Sequence, residues 1–161
     1  GGAQTFGVGP SSPFNLSHNN GGVTMSTATA LSHNGDTADT VLIVEDDAAT
    51  RRLYKFLLAN GGYLVLEAED GVAAVGTLGR HRCDLVITDM NMPRMDGMKL
   101  IRTIRRDFGD VYVILITAFG TPDTQKQAMR IGANDYLAKP FDFEELERRV
   151  RTYFQSRPRS V

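Results

Sequence analysis

Three acidic residues in a row, Glu45, Asp46 and Asp47, stand directly after an all-apolar run, Val41 to Val44. Asp89 stands after Leu85 to Thr88, Thr117 after Val111 to Ile116, and Lys139 after Tyr136 to Ala138. Each polar group thus follows a short apolar segment. If those segments are parallel strands of one sheet, their carboxyl ends share an edge, where the crevice of an open sheet collects functional groups. Three carboxylates (Glu45, Asp46 and Asp89), a hydroxyl and an ammonium then converge on one mouth. Clustered carboxylates repel each other, and a divalent cation relieves the repulsion. Oxygen donors without histidine or thiolate favour Mg²⁺ or Mn²⁺. Mg²⁺ held by few protein oxygens keeps waters and accepts phosphate oxygens. A lysine suits a phosphoryl oxygen as a point charge, and a threonine hydroxyl can donate to another. The evident nucleophile is an aspartate, which can form an aspartyl phosphate.

Singly, these features have plainer explanations. An acidic run at a strand end commonly caps the next helix, and Asp47 is read as that cap. A lysine is usually a solvated surface residue, and Thr117 can bond locally. Their joint placement at strand ends carries the chemical reading.

The elements that must position them alternate along the chain. Strands are expected at Val41 to Val44, Tyr63 to Leu66, Leu85 to Thr88, Val111 to Ile116 and Tyr136 to Ala138. Between and after them run helical patterns. The first carries Leu53, Phe56 and Leu57 at i, i+3, i+4 and stops at Asn60-Gly61-Gly62. The second opens at Asp70, and Gly76 and Gly79 weaken it. The third, Met98 to Phe108, carries Leu100, Ile101 and Ile104 on one face. The fourth spans about Thr121 to Ile131 and the fifth about Phe143 to Gln155. Continuously apolar strands are what a sheet covered on both faces requires. The expected fold is α/β: a five-stranded parallel sheet, doubly wound as (βα)5.

The chain has 161 residues, with 42% hydrophobic, 23% charged, a net charge of -1 and one cysteine, Cys83. The balance is that of a globular domain. It gives no general attraction to nucleic acid or anionic lipid. One cysteine excludes an internal disulfide and a multi-cysteine zinc site. No apolar run approaches a membrane span, and the N-terminus lacks a signal-peptide pattern; a cytoplasmic location is expected. Residues 1–35 contain no charged residue, and 22 of them are Gly, Ser, Thr, Asn or Pro. Such a stretch cannot offset its ordering entropy by burial. Residues 1–39 are therefore expected to be a disordered linker or cloning-derived tail, with Met25 a candidate natural start and His18 and His33 solvated. Residues 40–156 form the domain and 157–161 a flexible C-terminal tail.

From about Thr40 to Phe154 the chain resembles the receiver domains of two-component response regulators, the CheY-like family with a flavodoxin-like fold. Val-Leu-Ile-Val-Glu45-Asp46-Asp47 is similar to that family's first strand and acid pair. Asp89-Met-Asn-Met-Pro93-Arg-Met-Asp96-Gly97 is similar to its phosphoacceptor loop, Thr117-Ala118 to its switch hydroxyl and following small residue, and Tyr136-Leu-Ala-Lys139-Pro140-Phe141 to its switch aromatic and lysine. Asp46 to Asp89 is 43 residues, Thr117 to Tyr136 is 19 and Thr117 to Lys139 is 22, as in the family.

The resemblance implies a set of roles. Asp89 is the phosphoacceptor. Asp46 and Asp89 bind Mg²⁺ directly, Glu45 binds it through water, and the Asn91 backbone carbonyl adds a ligand. Lys139 pairs first with Asp89 and then with the phosphoryl group. Thr117 swings to the phosphoryl oxygen and Tyr136 moves inward, with Ala118 the small residue beside the phosphoryl group. Pro93 and Gly97 shape the loop, and the Lys139–Pro140 bond is cis. Asn91 and Phe119 lie near the mouth. Two registers of the acid pair are open, Glu45–Asp46 and Asp46–Asp47; Arg51, five residues after Asp46 as in many receivers, favours the first. The implied partners are a sensor histidine kinase or histidine phosphotransfer protein, with a homodimer through the face of the fourth helix, fifth strand and fifth helix, where Asp135, Glu145 and Arg149 lie. No direct nucleic-acid or membrane contact is expected of this segment, despite Arg148, Arg149, Arg151, Arg157 and Arg159 near its end.

The segment is read as a switch with no activity beyond its own phosphotransfer and autodephosphorylation. It is either a stand-alone receiver or the receiver of a larger DNA-binding regulator or hybrid histidine kinase. An aspartyl-nucleophile phosphatase is a distant alternative. Such enzymes place an acid/base aspartate two residues after the nucleophile, where this chain has Asn91. A nucleotide-binding domain would want a glycine-rich turn after the first strand, where this chain has three acids.

Overall fold

The computed structural model describes residues 38–158. Five strands and five helices alternate through them: β1 (Thr40–Val44), α1 (Ala48–Asn60), β2 (Leu64–Ala68), α2 (Gly71–Arg80), β3 (Leu85–Asp89), α3 (Gly97–Asp107), β4 (Tyr112–Thr117), α4 (Pro122–Ile131), β5 (Asp135–Ala138) and α5 (Phe143–Ser156). The strands form one parallel sheet in the order β2-β1-β3-β4-β5. The tail expected over residues 1–39, with His18, His33 and Met25, lies outside the described residues apart from Ala38 and Asp39, and so do residues 159–161.

Covering both sheet faces splits the core in two. Leu42, Val44, Val86, Val113 and Leu115 point one way, to Leu100, Ile101 and Ile104 of α3 and Ala128 of α4. Val41, Ile43, Leu85, Ile87, Ile114 and Ile116 point the other way, to Leu58 of α1 and Leu146 and Val150 of α5. The period-two alternation is present but invisible in the sequence, because both faces are apolar.

Helix α1 turns differently from its expected phase. Leu53 and Phe56 are 53% and 63% exposed, while Leu58 is buried and Tyr54 and Leu57 are half-buried. Two stripes of i, i+3, i+4 spacing overlap in this helix, 53/56/57 and 54/57/58. Arg51 and Lys55 reach Glu67 on the neighbouring edge strand β2, at 3.6 and 2.8 Å. That turn brings Tyr54 beside Phe141 and Phe143, with ring centroids 6.4 and 6.3 Å away.

The edge opposite the carboxyl ends is tied by arginines. Arg157 pairs with Asp39 and Asp84, which precede β1 and β3, and its guanidinium lies 4.9 Å from the Phe154 ring centroid. Arg157 falls at the start of the expected C-terminal tail and is held in place. Arg105 on α3 donates to the carbonyls of Gly109, Val111 and Gly132 at 2.7 to 2.9 Å and to Asn134 Oδ1 at 2.6 Å. One side chain thus satisfies the turns on both sides of the β4–α4 unit, and burial draws its pKa downward. Hydrogen bonds to a charged group are each worth roughly 1.5–3 kcal/mol. Partial solvent access lowers the sum, and Arg105→Ala is expected to cost about 2–4 kcal/mol, read as a shifted urea midpoint with unchanged slope. A midpoint matching the parent would show these bonds to be dispensable.

Candidate functional site

Strand order decides what meets at the carboxyl edge. β1 and β3 are neighbours, with Val44 opposite Thr88, so Glu45 emerges beside Asp89. The chain turns to opposite sides of the sheet after these two strands, which is where the crevice of a doubly wound fold opens. Carboxylate oxygens of Glu45, Asp46 and Asp89 lie within 4.8 Å of one another. Glu45 is buried, Asp89 half-buried and Asp46 exposed. Lys139, just past β5, places Nζ 3.5 Å from Asp89 Oδ2.

Asp47 takes no part in the cluster. Its carboxylate accepts the Thr50 N–H at 2.9 Å and caps α1. The structure therefore sets Glu45 and Asp46, and not Asp47, beside Asp89. The acidic turn is fixed from two sides: Arg51 Nη1 donates to the Glu45 carbonyl at 2.7 Å, and the Asp47 N–H donates to Glu45 Oε1 at 3.1 Å.

Burial, and then the Asp89 charge, push the Glu45 carboxyl up to about 7. The Asp47 N–H and Lys139 offset this in part. Burial and the neighbouring Asp89 charge both disfavour the ionised form of Glu45, and a cation held beside it would favour that form. The donor set is all oxygen, with no histidine or thiolate in the cluster. Hard donors with one solvent-facing side fit Mg²⁺ or Mn²⁺.

The residues expected to switch sit on the next two strands. Thr117 ends β4 and is fully buried. Its Oγ1 accepts the Phe119 N–H at 3.2 Å and lies 3.6 Å from Met90 Sδ, turned to this thioether. Ala118 and Phe119 are exposed at the rim, Phe119 at 78%. Tyr136 on β5 is buried. Its hydroxyl is buried without a hydrogen-bond partner and packs over Gly120, where a Cβ would come within 2.7 Å of it. Gly120 leaves room there for the ring. Lys139 N–H donates to the Thr117 carbonyl at 2.8 Å, and the Lys139–Pro140 bond is cis.

The loop after Asp89 is closed tightly. Gly97 N–H donates to the Met90 carbonyl at 2.8 Å, and a Cβ on Gly97 would lie 2.4 Å from the Asp89 carbonyl oxygen. Pro93 and Asn91 are exposed within this loop. Sequence reasoning named neither Arg94 nor Met90, and took Arg51 only as a register mark. Arg94 and Met90 fill variable-looking slots between recognisable ones, and their contacts are set by the folded loop.

The model of the response regulator receiver domain matches residues 41–151, and the chain belongs to that family. It is 39% identical over 116 residues to a probable transcriptional regulator, ycf27, of Guillardia theta, covering 72% of this chain and 45% of that protein. It is 43% identical over 106 residues to the response regulator protein FleR of Pseudomonas aeruginosa, covering 66% and 22%. The chain thus spans less than half the length of these curated relatives. A receiver domain of a Francisella response regulator superposes with a TM-score of 0.70 at 27% identity, covering 73% of this chain and 97% of that one. The doubly wound CheY-like fold is the observed one, and receivers are in general signalling switches. No helix among the described residues is long and apolar enough to cross a membrane.

Proposed function

We propose that residues 40–156 form a phosphorylation-controlled switch that accepts a phosphoryl group on Asp89 from a phosphohistidine of a sensor kinase or phosphotransfer protein. The observation that carries this is the placement of Asp89 at the crevice, with Lys139 Nζ 3.5 Å from one of its oxygens and two further acids beside it. An Asp89 oxygen attacks phosphorus in line, an O–P bond forms, and the N–P bond to the donor imidazole breaks. Lys139 balances charge on the transferring oxygens, and the chain's work is positioning and electrostatics. Glu45, Asp46 and Asp89, with the Asn91 carbonyl, would hold Mg²⁺ or Mn²⁺. The bound cation supplies charge neutralisation for the phosphoryl oxygens.

The acyl phosphate adds roughly one to two negative charges within reach of the Thr117 hydroxyl. Thr117 then leaves Met90 for the phosphoryl oxygen, and the packing of Tyr136 against Gly120 readjusts. The readout is a population shift at the face of α4, β5 and α5. In the described fold Arg149 pairs with Asp135 and with Glu145 at 2.5 and 2.9 Å within one copy. Homodimerisation through this face therefore requires rearranging pairs that already exist. Each such partly exposed pair is worth about 0–1 kcal/mol, which suits a regulated contact.

Beryllofluoride with Mg²⁺ mimics the phosphoryl group and tests the whole reading by NMR. Resonances of Thr117, Tyr136 and α4 are expected to shift together with those around Asp89. Shifts confined to the immediate neighbours of Asp89 would refute the coupling, and none at all would refute the site.

A further inference from the structure

Asp70 is fully buried, yet it keeps an ionisable side chain. One of its oxygens, Oδ1, accepts the Ala73 N–H at 2.8 Å and caps α2. The other, Oδ2, is equally shut away from water and is met by the guanidinium of Arg94. Arg94 reaches it from the loop after Asp89, and also pairs with Glu69 at 3.0 Å. A buried carboxylate without a counter-charge is strongly unfavourable. The Glu69 pair is exposed and contributes little; the Asp70 pair is the consequential one.

The backbone at Arg94 makes the pairing more telling. Its φ is +65°, and Arg94 is the one non-glycine residue with positive φ among the described residues. The left-handed region costs a side chain roughly 1–2 kcal/mol and glycine nothing. A position that would suit glycine holds an arginine whose guanidinium crosses to the N-terminus of another helix. The adjoining residue is clamped as well: a Cβ on Gly71 would come within 2.7 Å of Met95 Cγ. Asn91 lies three residues before Arg94, and the loop's other end closes on the carbonyls of Asp89 and Met90. A loop this short passes any displacement of Arg94 to Asn91 and Asp89.

We propose that Arg94 is a positioning residue for the phosphoryl-accepting site. Its ion pair with Asp70 anchors the loop on α2, so that the Asn91 carbonyl and the Asp89 carboxylate are held ready for the divalent cation. This rests on the reading of Asp89 and Asn91 given above.

The test uses the full chain and Mn²⁺ binding by electron paramagnetic resonance, alongside phosphorylation by acetyl phosphate at varied donor concentration. Arg94→Met should weaken Mn²⁺ binding about tenfold, the scale seen when groups supporting metal ligands are removed. It should lower the maximal phosphorylation rate more than the half-saturating donor concentration. Arg94→Lys should restore part of both. Arg94→Gly relieves the backbone and so offsets part of the cost of leaving Asp70 without its counter-charge; its melting temperature should fall less than that of Arg94→Met while it still binds Mn²⁺ weakly, and a merely structural role would leave its binding intact. Asp70→Asn retains a good cap and removes the counter-charge. It should weaken binding alone, and Arg94→Met on that background should add less than twofold. Mn²⁺ affinity within twofold of the parent in both Arg94→Met and Arg94→Gly would overturn the positioning role alone. Parent affinity unchanged by Asp89→Asn would overturn the site itself, and this inference with it.

Discussion

The Asp89→Asn variant is expected to take up no phosphoryl group from acetyl phosphate under conditions that fully modify the parent. The amide oxygen of asparagine is neutral and a poor nucleophile, and no other carboxylate stands as Asp89 does. Glu45 is buried and only about half ionised near neutrality, with its carboxyl pushed up to about 7. Asp46 faces solvent, and Asp47 is engaged at the start of α1. Lys139 reaches an Asp89 oxygen at 3.5 Å, so the charge that offsets the transferring phosphoryl group is aimed at this residue. The side chains are nearly isosteric, and Asp89→Asn also removes the negative charge that bears on Glu45. The variant should fold and melt at or above the parent temperature, so loss of uptake would reflect chemistry. Intact-mass measurement reads the outcome, and excess chelator should slow the parent at least about tenfold. A base-labile adduct of one phosphoryl group in the variant would place the acceptor elsewhere. Undiminished parent rates in chelator would remove the cation from the reaction.

How much of this was legible in the sequence differs by level. Polar residues directly after apolar runs located the site, because a parallel sheet gathers its strand ends whatever the strand order. Which strand ends touch was not legible. Only the order β2-β1-β3-β4-β5 sets Glu45 beside Asp89, and that order is a long-range choice of crossovers. Element boundaries agreed to within one or two residues, since caps such as Asp47, Asp70 and Asp96 are local chemistry. The face of α1 was misread because five apolar residues in six positions, Leu53 to Leu58, support two stripes. Contacts with Glu67 and the Phe141–Phe143 pair select the stripe containing Tyr54 and Leu58. Arg94 and Met90 were missed because they act through partners 20 or more residues away, and Arg105 because half of its partners, at Gly132 and Asn134, lie as far. Nothing in their immediate neighbourhood marks them.

A second large effect follows from Glu45 and concerns stability against pH. Its carboxyl rises from the ordinary 4.5 to about 7 on folding, through burial first and the Asp89 charge second. Asp46 and Lys139 are the other charged side chains facing the same crevice. A raised folded-state pKa means that the folded chain binds the proton more tightly than the unfolded one. Its contribution is therefore fully present below about pH 4.5 and is lost as pH rises through about 7. At roughly 1.4 kcal/mol per pKa unit, the loss is on the order of 3 kcal/mol at most. Urea unfolding in chelator should show stability falling between pH 5 and pH 7.5, a window set by these two values. Glu145, Asp47 and Asp107 titrate oppositely, since hydrogen bonds hold them below the usual carboxylate range, and their contribution fades only in stronger acid. Divalent cation should reverse the trend, because it favours the ionised carboxylates. The stabilisation given by Mg²⁺ should be small at pH 5.5 and large at pH 8. Glu45→Gln should flatten the profile in chelator. A parent-like slope in that variant would assign the titration to another group, and a cation effect independent of pH would disconnect Glu45 from the divalent site.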